Sequence, residues 1–487
     1  MSPTLALIVW LILLLVLLRL DPARQPDVSL ALWVPVVWIF VVATRLPSQW
    51  FAGQLSLASG SLEEGNPLDR TIFVILILLS IGILISRSFR WSVLVSRNLA
   101  LMAFLLFALL SVLWSDFPFV AFKRWFRDLG NYLVILVVLS DPRPLDAVRT
   151  VLRRLGYVLI PLSILLIKYF PAIGVEYWMW TGQVMFRGPT TGKNLLGAIC
   201  LVSGLFYFWD TVDRWSDIKE KRTKRIIVVN IIFMIMTLWL LILVRSSTST
   251  VCLLIGCMVV LAARSKWAVR HPSFLKLIIP ASFCLYLILA FGLDLQGEFT
   301  RMVGRDPTLT ERTEIWKGVL SLHTNPLIGT GYESFWLGPR LDWLWKQKAI
   351  HGINEAHDGY LEVYLNLGLI GLALLGVFLI ASYRTVCKKL ATQPSFASFA
   401  LAMWAIVLFY NVTEAAFKFH WMWVTFLFGA IDVPEHSIRE TNVASTLERG
   451  TTEFNSRRLT KRLSDAPATA KELQVPVRTG GWRTKTR

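Results

Sequence analysis

Charge is scarce in this 487-residue chain: Asp, Glu, Lys and Arg make up 17% of it, against 55% hydrophobic residues. With a mean hydropathy of +0.56, that balance excludes an ordinary soluble protein. Polar–apolar alternation over strands of roughly ten residues is missing too, which excludes a membrane β-barrel. Cysteine is limited to five positions, Cys200, Cys252, Cys257, Cys284 and Cys387. They lie in apolar runs or one basic loop, so neither a disulfide framework nor a metal cluster is expected. No internal repeat is visible, which weighs against a transporter built from duplicated halves. Acidic residues are the rarer charge, 32 against 50 basic, for a net +18. The excess crowds short loops and the C-terminal tail beside apolar runs. That is the positive-inside bias rather than a nucleic-acid footprint, so no nucleic-acid partner is expected.

What is abundant is apolar sequence of span length. Spans are predicted at 5–20, 28–43, 71–86, 98–114, 129–140, 151–168, 195–210, 226–244, 248–263, 274–291, 359–382, 396–412 and 416–431. They make an all-α polytopic membrane protein with about 12–13 transmembrane helices. The first run has no basic residue ahead of it and Arg19 and Arg24 behind, which predicts a retained span rather than a cleaved signal. The basic loops 87–97, 143–154, 214–225, 264–270 and 384–389 all fall on one side under this list, the expected cytoplasmic side. The outer side then receives 44–70, 115–128, 169–194, the turn at Arg245 and one large periplasmic loop, 293–358. Residues 1–431 are expected to form one transmembrane domain. Residues 432–487, rich in Thr, Arg, Ser and Glu, form a disordered basic cytoplasmic tail.

Several outer segments carry more polar chemistry than connectors need. The 293–358 loop holds Arg312, His351 and His357 with Trp316, Trp336, Trp343 and Trp345, and loops of that length usually carry function. In the Met185–Gly197 stretch, Arg187 and Lys193 bracket a Gly–Thr turn at the mouth of a span, a natural anion site at a helix N-terminus. Its spacing does not match a P-loop. Lys123, Arg124 and Arg127 break the positive-inside pattern. Either they snorkel to headgroups or Arg124 turns inward to an anionic group. Asp358, Glu362 and Asn366 recur every fourth residue and stack on one helix face, expected to line a polar cavity. Asn411, Glu414 and Lys418 read as a second helical stripe in which Glu414 and Lys418 can pair. The acidic residues Glu63, Glu64 and Asp69 are an alternative cation site, although carboxylates also suit turns.

The GPTTGKNLLG loop, the TLTERTEIWKGVL stretch, the NPLIGTGYESF turn and the EAHDGYLEVYLNLGLIGL helix, with EEGNPLDR, WSDFP and NVTEAAF, resemble the O-antigen ligase and polymerase superfamily, especially the exopolysaccharide polymerases. The resemblance runs from about Asp69 to Ile431. It implies a GT-C-like glycosyltransferase at the periplasmic face of the bacterial inner membrane. Such an enzyme passes a glycan from an undecaprenyl-pyrophosphate carrier to an acceptor hydroxyl, on a lipid-linked repeat in polymerases or on lipid A–core in ligases. A chain-length regulator is a possible further partner. The family's characteristic His maps onto His357 and its outer-loop Arg onto Arg312. Gly192 stands where many members have His, and Thr248 where ligases often have Arg, with Arg245 nearby but out of register. Both departures favour polymerase over ligase.

The chemistry fits these residues. Pyrophosphate leaves readily once cations neutralise it, the role expected of Arg312, Lys193 and Arg187, with Arg124 as a further candidate. His357 is expected to take the proton from the acceptor hydroxyl, with Asp358 or Glu355 holding its tautomer and Glu362 and Glu414 in support. No metal and no cofactor are expected. A polysaccharide or lipid transporter is the alternative of a different class, and a non-catalytic membrane assembly protein the third.

Overall fold

The computed structural model describes residues 1–23, 28–51, 65–87, 89–177, 182–265, 271–289, 309–347 and 351–433. Glu63, Glu64, the 293–308 and 348–350 parts of the large loop and residues 434–487 of the proposed tail lie outside them. The described chain is helical apart from one two-stranded antiparallel ribbon, and it is a multi-pass membrane protein. In order, the helices are α1 (Pro3–Leu20), α2 (Trp33–Ala43), α3 (Pro47–Phe51), α4 (Pro67–Ser86), α5 (Trp91–Arg97), α6 (Leu99–Leu110), α7 (Pro118–Leu139), α8 (Pro144–Tyr169) and α9 (Pro171–Gly174). The ribbon β1 (Val175–Tyr177) and β2 (Val184–Phe186) follows, with Glu176 opposite Met185. Then come α10 (Lys193–Arg214), α11 (Lys221–Val244), α12 (Ser247–Arg264), α13 (Pro272–Leu287), α14 (Leu309–Leu320), α15 (Gly338–Trp345), α16 (Gly359–Thr392), α17 (Pro394–Tyr410) and α18 (Trp421–Ala430).

Local sequence explains the helix starts. Proline opens α4, α7, α8 and α17, where its missing N–H costs nothing. Side chains of Asn66, Ser246 and Asp358 accept the exposed amides of Leu68, Ser249 and Leu361 at the starts of α4, α12 and α16. Helices α8 and α10 are largely buried inside the bundle, whereas α1 buries only Ala6 and presents its apolar surface outward, as lipid contact requires.

Among the described residues, seven helices are long and apolar enough to cross a membrane, or eight if the α5–α6 pair, bent by 94°, counts as one span. The predicted spans 28–43, 274–291, 396–412 and 416–431 appear as shorter apolar helices, and 129–140 is the apolar half of the 22-residue α7. The last span starts later than predicted because 411–420 is a turn, not a helix, which also undoes the expected helical stripe through Glu414 and Lys418. Helix α16 runs ten residues past its predicted end and breaks at Gly368, which has φ +65°. There the amides of Leu369 and Ile370 donate to the carbonyls of Pro326 and Leu327, and the amides of Thr330 and Gly331 donate to Leu365 and Asn366. Irregular backbone deep in a bundle survives only with such partners.

The basic loops assigned to one side do share one end. Arg87 meets Asp141 at 3.3 Å, Arg264 meets Asp213 at 2.9 Å, and Arg97 and Lys389 both reach Asp432, at 3.5 and 3.6 Å. At the other end the described part of the large loop is a folded layer with its own core of Ile315, Val319, Phe335, Trp336, Leu341 and Leu344. Its tryptophans fasten it: the Trp316 indole donates to the Ala356 carbonyl, Trp345 to Ile353 and Trp336 to Glu362, at 2.9, 2.8 and 2.9 Å.

Candidate active site

Four stretches distant in sequence meet at one carboxylate, that of Glu414 in the turn between α17 and α18. Its Oε1 accepts from Asn194 Nδ2 (2.8 Å), in the first turn of α10, and from Arg312 Nη2 (3.0 Å) on α14. Its Oε2 lies 3.6 Å from His357 Nδ1, and Glu355 Oε1 lies 3.1 Å from the same nitrogen. Lys418 closes the row on the other oxygen of Glu355, at 3.1 Å. The chain thus runs Lys418–Glu355–His357–Glu414–Arg312. The turn is braced from α12, where the hydroxyls of Thr248 and Thr413 meet at 2.9 Å.

The backbone is shaped to allow this. His357 has φ +49°, a left-handed conformation that non-glycine residues adopt at a cost, and such strain clusters at functional sites. Gly359 follows because its amide donates to the Asn411 carbonyl at 2.8 Å, and a Cβ there would lie 2.0 Å from Asn411 Oδ1. Glu362 is buried and accepts from the Ala356 amide (2.7 Å), which fixes the residue next to His357. Asn366 accepts the Phe335 amide at 3.1 Å. These two members of the predicted stripe therefore hold the loop layer down, although both also line a small cavity of about 20 Å³ with Tyr332, Glu333 and Lys418.

Electrostatics follow from the row of ion pairs. Burial alone would lower the His357 pKa, but the adjoining Glu355 and Glu414 carboxylates outweigh it and raise it to about 10. Both carboxylates raise it through close approach to Nδ1 and through their charge, although neither is in full hydrogen-bond alignment. Burial pushes Glu355 upward, and Lys418 and His357 more than reverse it, leaving this carboxyl well below its ordinary range. Asp358 behaves differently: burial raises it to about 6, against the pull of the Leu361 and Tyr360 amides and of Arg312. The site rests with imidazolium, guanidinium and ammonium around two carboxylates.

Of the predicted residues, Arg312, His357 and Glu414 come together, with Asp358 adjoining. Lys193 opens α10 one residue before Asn194, its side chain exposed. Arg187 instead donates to the Ile173 carbonyl at 3.0 Å and lies 3.9 Å from Glu176. Arg124 does turn inward, but onto the backbone carbonyl of Glu333. The expected Glu414–Lys418 pair is replaced by Arg312–Glu414 and Lys418–Glu355. Asp69 is occupied by the amide and hydroxyl of Ser48, at 2.8 and 2.6 Å.

Two residues were missed. Asn194 carries no charge and looked like part of a Gly-rich turn. Arg45 donates to the carbonyls of Thr190 and Ile173, at 3.1 and 2.6 Å, beside Arg187. Burial and then the Arg187 charge lower its pKa to about 10. Its signal was available, since it is a base on the predicted outer side, the same anomaly that singled out Arg124. Glu355, His357 and Glu414 could also offer a metal one atom each, all within 4.8 Å. Arg312 and Lys418 hold the outer oxygens of these carboxylates, so the three atoms facing one another are His357 Nδ1, Glu355 Oε1 and Glu414 Oε2.

Comparison with known proteins agrees with the sequence motifs. Residues 232–376, which include α14 and the His357 turn, match the family model Wzy_C, described as O-Antigen ligase. The chain is also similar to the exopolysaccharide production protein ExoQ of Rhizobium meliloti (strain 1021). The two are 26% identical over 312 residues, 60% of this chain and 66% of that relative, slightly under two thirds of its length. Both findings support an O-antigen ligase/polymerase-like family for this chain.

Proposed function

We propose that this protein is a glycosyltransferase of the periplasmic face of the bacterial inner membrane. It moves a glycan from an undecaprenyl-pyrophosphate carrier to an acceptor hydroxyl, polymerising exopolysaccharide or O-antigen repeat units. The observation that carries this reading is the convergence of Arg312, Asn194 and His357 on Glu414. Glu414 stands where an anionic oxygen is gripped by a guanidinium and a side-chain amide, and a pyrophosphate oxygen presents the same chemistry. In the loaded site Arg312 turns from Glu414 to the pyrophosphate, joined by Lys193. Arg187 and Arg45, two cations on the one Ile173 carbonyl, supply further positive charge, and Arg124 stays with the loop layer.

Nδ1 of His357 faces the two carboxylates, so Nε2 is the atom proposed to take the hydroxyl proton as that oxygen attacks the anomeric carbon. The carboxylates make the neutral imidazole a strong base and a scarce one at neutral pH. The cationic side chains offset the charge on the leaving pyrophosphate, and no metal enters the proposal.

The matched model is described as O-Antigen ligase, which favours a second reading, attachment of the finished glycan to lipid A–core. Deleting the gene separates the two: loss of a polymerase leaves single lipid-linked repeats, whereas loss of a ligase leaves long unattached chains. Unchanged surface glycan and unchanged lipid-linked pools would contradict both.

A further inference from the structure

A second basic site lies at the other end of the bundle. Asn194 and Asp210 are 16 residues apart on α10, about 24 Å of helix. Around Asp210 the ends of α1 and α10 and the start of α8 enclose a cavity of about 260 Å³. Arg19, Arg149, Arg153, Arg154 and Arg214 line it, with Asp21 and Asp146. At roughly 30 Å³ per water in the liquid, it has room for a phosphate group and the carbons next to it.

The ion pairs leave positive charge over. Asp210 is shared by Arg149 (3.3 Å), Arg153 and Arg214 (3.0 Å), and Asp213 by Arg149 and Arg264 (2.9 Å). Counting Arg19 and Arg154 with Asp21 and Asp146, the described residues here carry six guanidinium groups and four carboxylates. Arg153 and Asp210 are almost wholly buried as a pair, while the surplus guanidinium groups of exposed Arg19 and half-buried Arg154 line the cavity where an anion can reach them. The rest of the lining is largely apolar, with Leu15, Leu18, Leu30 and Trp33, and the Arg154 guanidinium lies 4.4 Å over the Trp33 ring. Leu15 belongs to α1, the helix whose surface faces outward, and Arg19 sits in the last turn of that helix, the depth at which headgroups lie.

We propose that this cavity binds the phosphate-bearing headgroup of an anionic phospholipid, with guanidinium forks on the phosphate and the acyl chains against α1. The site stands apart from the glycan-transfer centre and does not depend on that assignment. The test uses the purified full-length chain and native mass spectrometry, with phosphatidylglycerol, phosphatidylcholine and inorganic phosphate as probes. Wild type should retain phosphatidylglycerol over phosphatidylcholine. Arg19→Gln/Arg154→Gln removes two cations that are not on Asp210 and should bind phosphatidylglycerol about 30-fold more weakly, whereas Arg19→Lys/Arg154→Lys keeps most of the affinity. Equal retention of both lipids by wild type would overturn the proposal even if the Gln variant fails to fold. So would undiminished phosphatidylglycerol binding by a folded Gln variant. Displacement of the lipid by millimolar inorganic phosphate would overturn the lipid assignment in favour of a soluble anion.

Discussion

His357 combines a left-handed backbone with an imidazole placed between two carboxylates. Its pKa, raised to about 10, gives the sign of the pH dependence. If neutral His357 is the base, transfer must speed up as pH rises through neutrality and level off near pH 10, because the proton blocking Nε2 leaves only there. Asp358, raised to about 6, is already ionised above neutrality. Rates measured across this range with purified protein decide between them. A profile that inflects near 6 and stays flat above would move the base to Asp358. His357 and Arg312 were legible in the sequence because they sit in recognisable motifs. Glu414 was legible only as a charge, since its partners lie 102 and 220 residues away in sequence. No local pattern shows that an uncharged Asn194 joins them.

At the scale of elements, the site is held by close backbone approaches that side-chain periodicity cannot reveal. Of the expected stripe, Glu362 and Asn366 lie on α16 and Asp358 is its extended N-cap residue; the two helical members clamp the loop layer through Trp336, Ala356 and Phe335 as well as bordering a cavity. Residues 416–420 read as the start of the last span, and Asn411, Glu414 and Lys418 as a stripe because they fall at helical spacing, whereas 411–420 is a turn. Asn411 instead folds back on the Ala416 amide at 2.8 Å. That bond fixes Asn411 Oδ1 where a Cβ on Gly359 would strike it, at 2.0 Å. Gly359→Ala should therefore displace the start of α16 and with it His357. Overpacking of this kind typically costs about 1–3 kcal/mol. We expect reduced melting temperature and a fall in transfer larger than the loss of folded protein explains; wild-type stability and rate would show that the α16 start does not position His357.

At the scale of the whole molecule, hydropathy and basic-loop placement gave the helical membrane class and the grouping of loops at two ends. Among the described residues seven or eight helices have full spanning length, and other predicted spans such as α17 and α18 are shorter, 17 and 10 residues, since apolar composition alone does not set helix length. Reporter fusions near Lys224 and Gly338 should report opposite compartments, with Gly338 periplasmic. The same compartment for both would overturn the two-ended arrangement. The central claim is that the Glu414 cluster is a glycan-transfer centre, and reconstituted turnover tests it most directly. Full-length protein is supplied with lipid-linked donor and acceptor, and product is counted for wild type, His357→Gln and Arg312→Ala. Wild type should elongate the glycan. His357→Gln should bind donor normally and lose about 10²–10⁴ in rate, and Arg312→Ala should lose donor binding as well. Near wild-type turnover by His357→Gln, at equal folded protein, would contradict it.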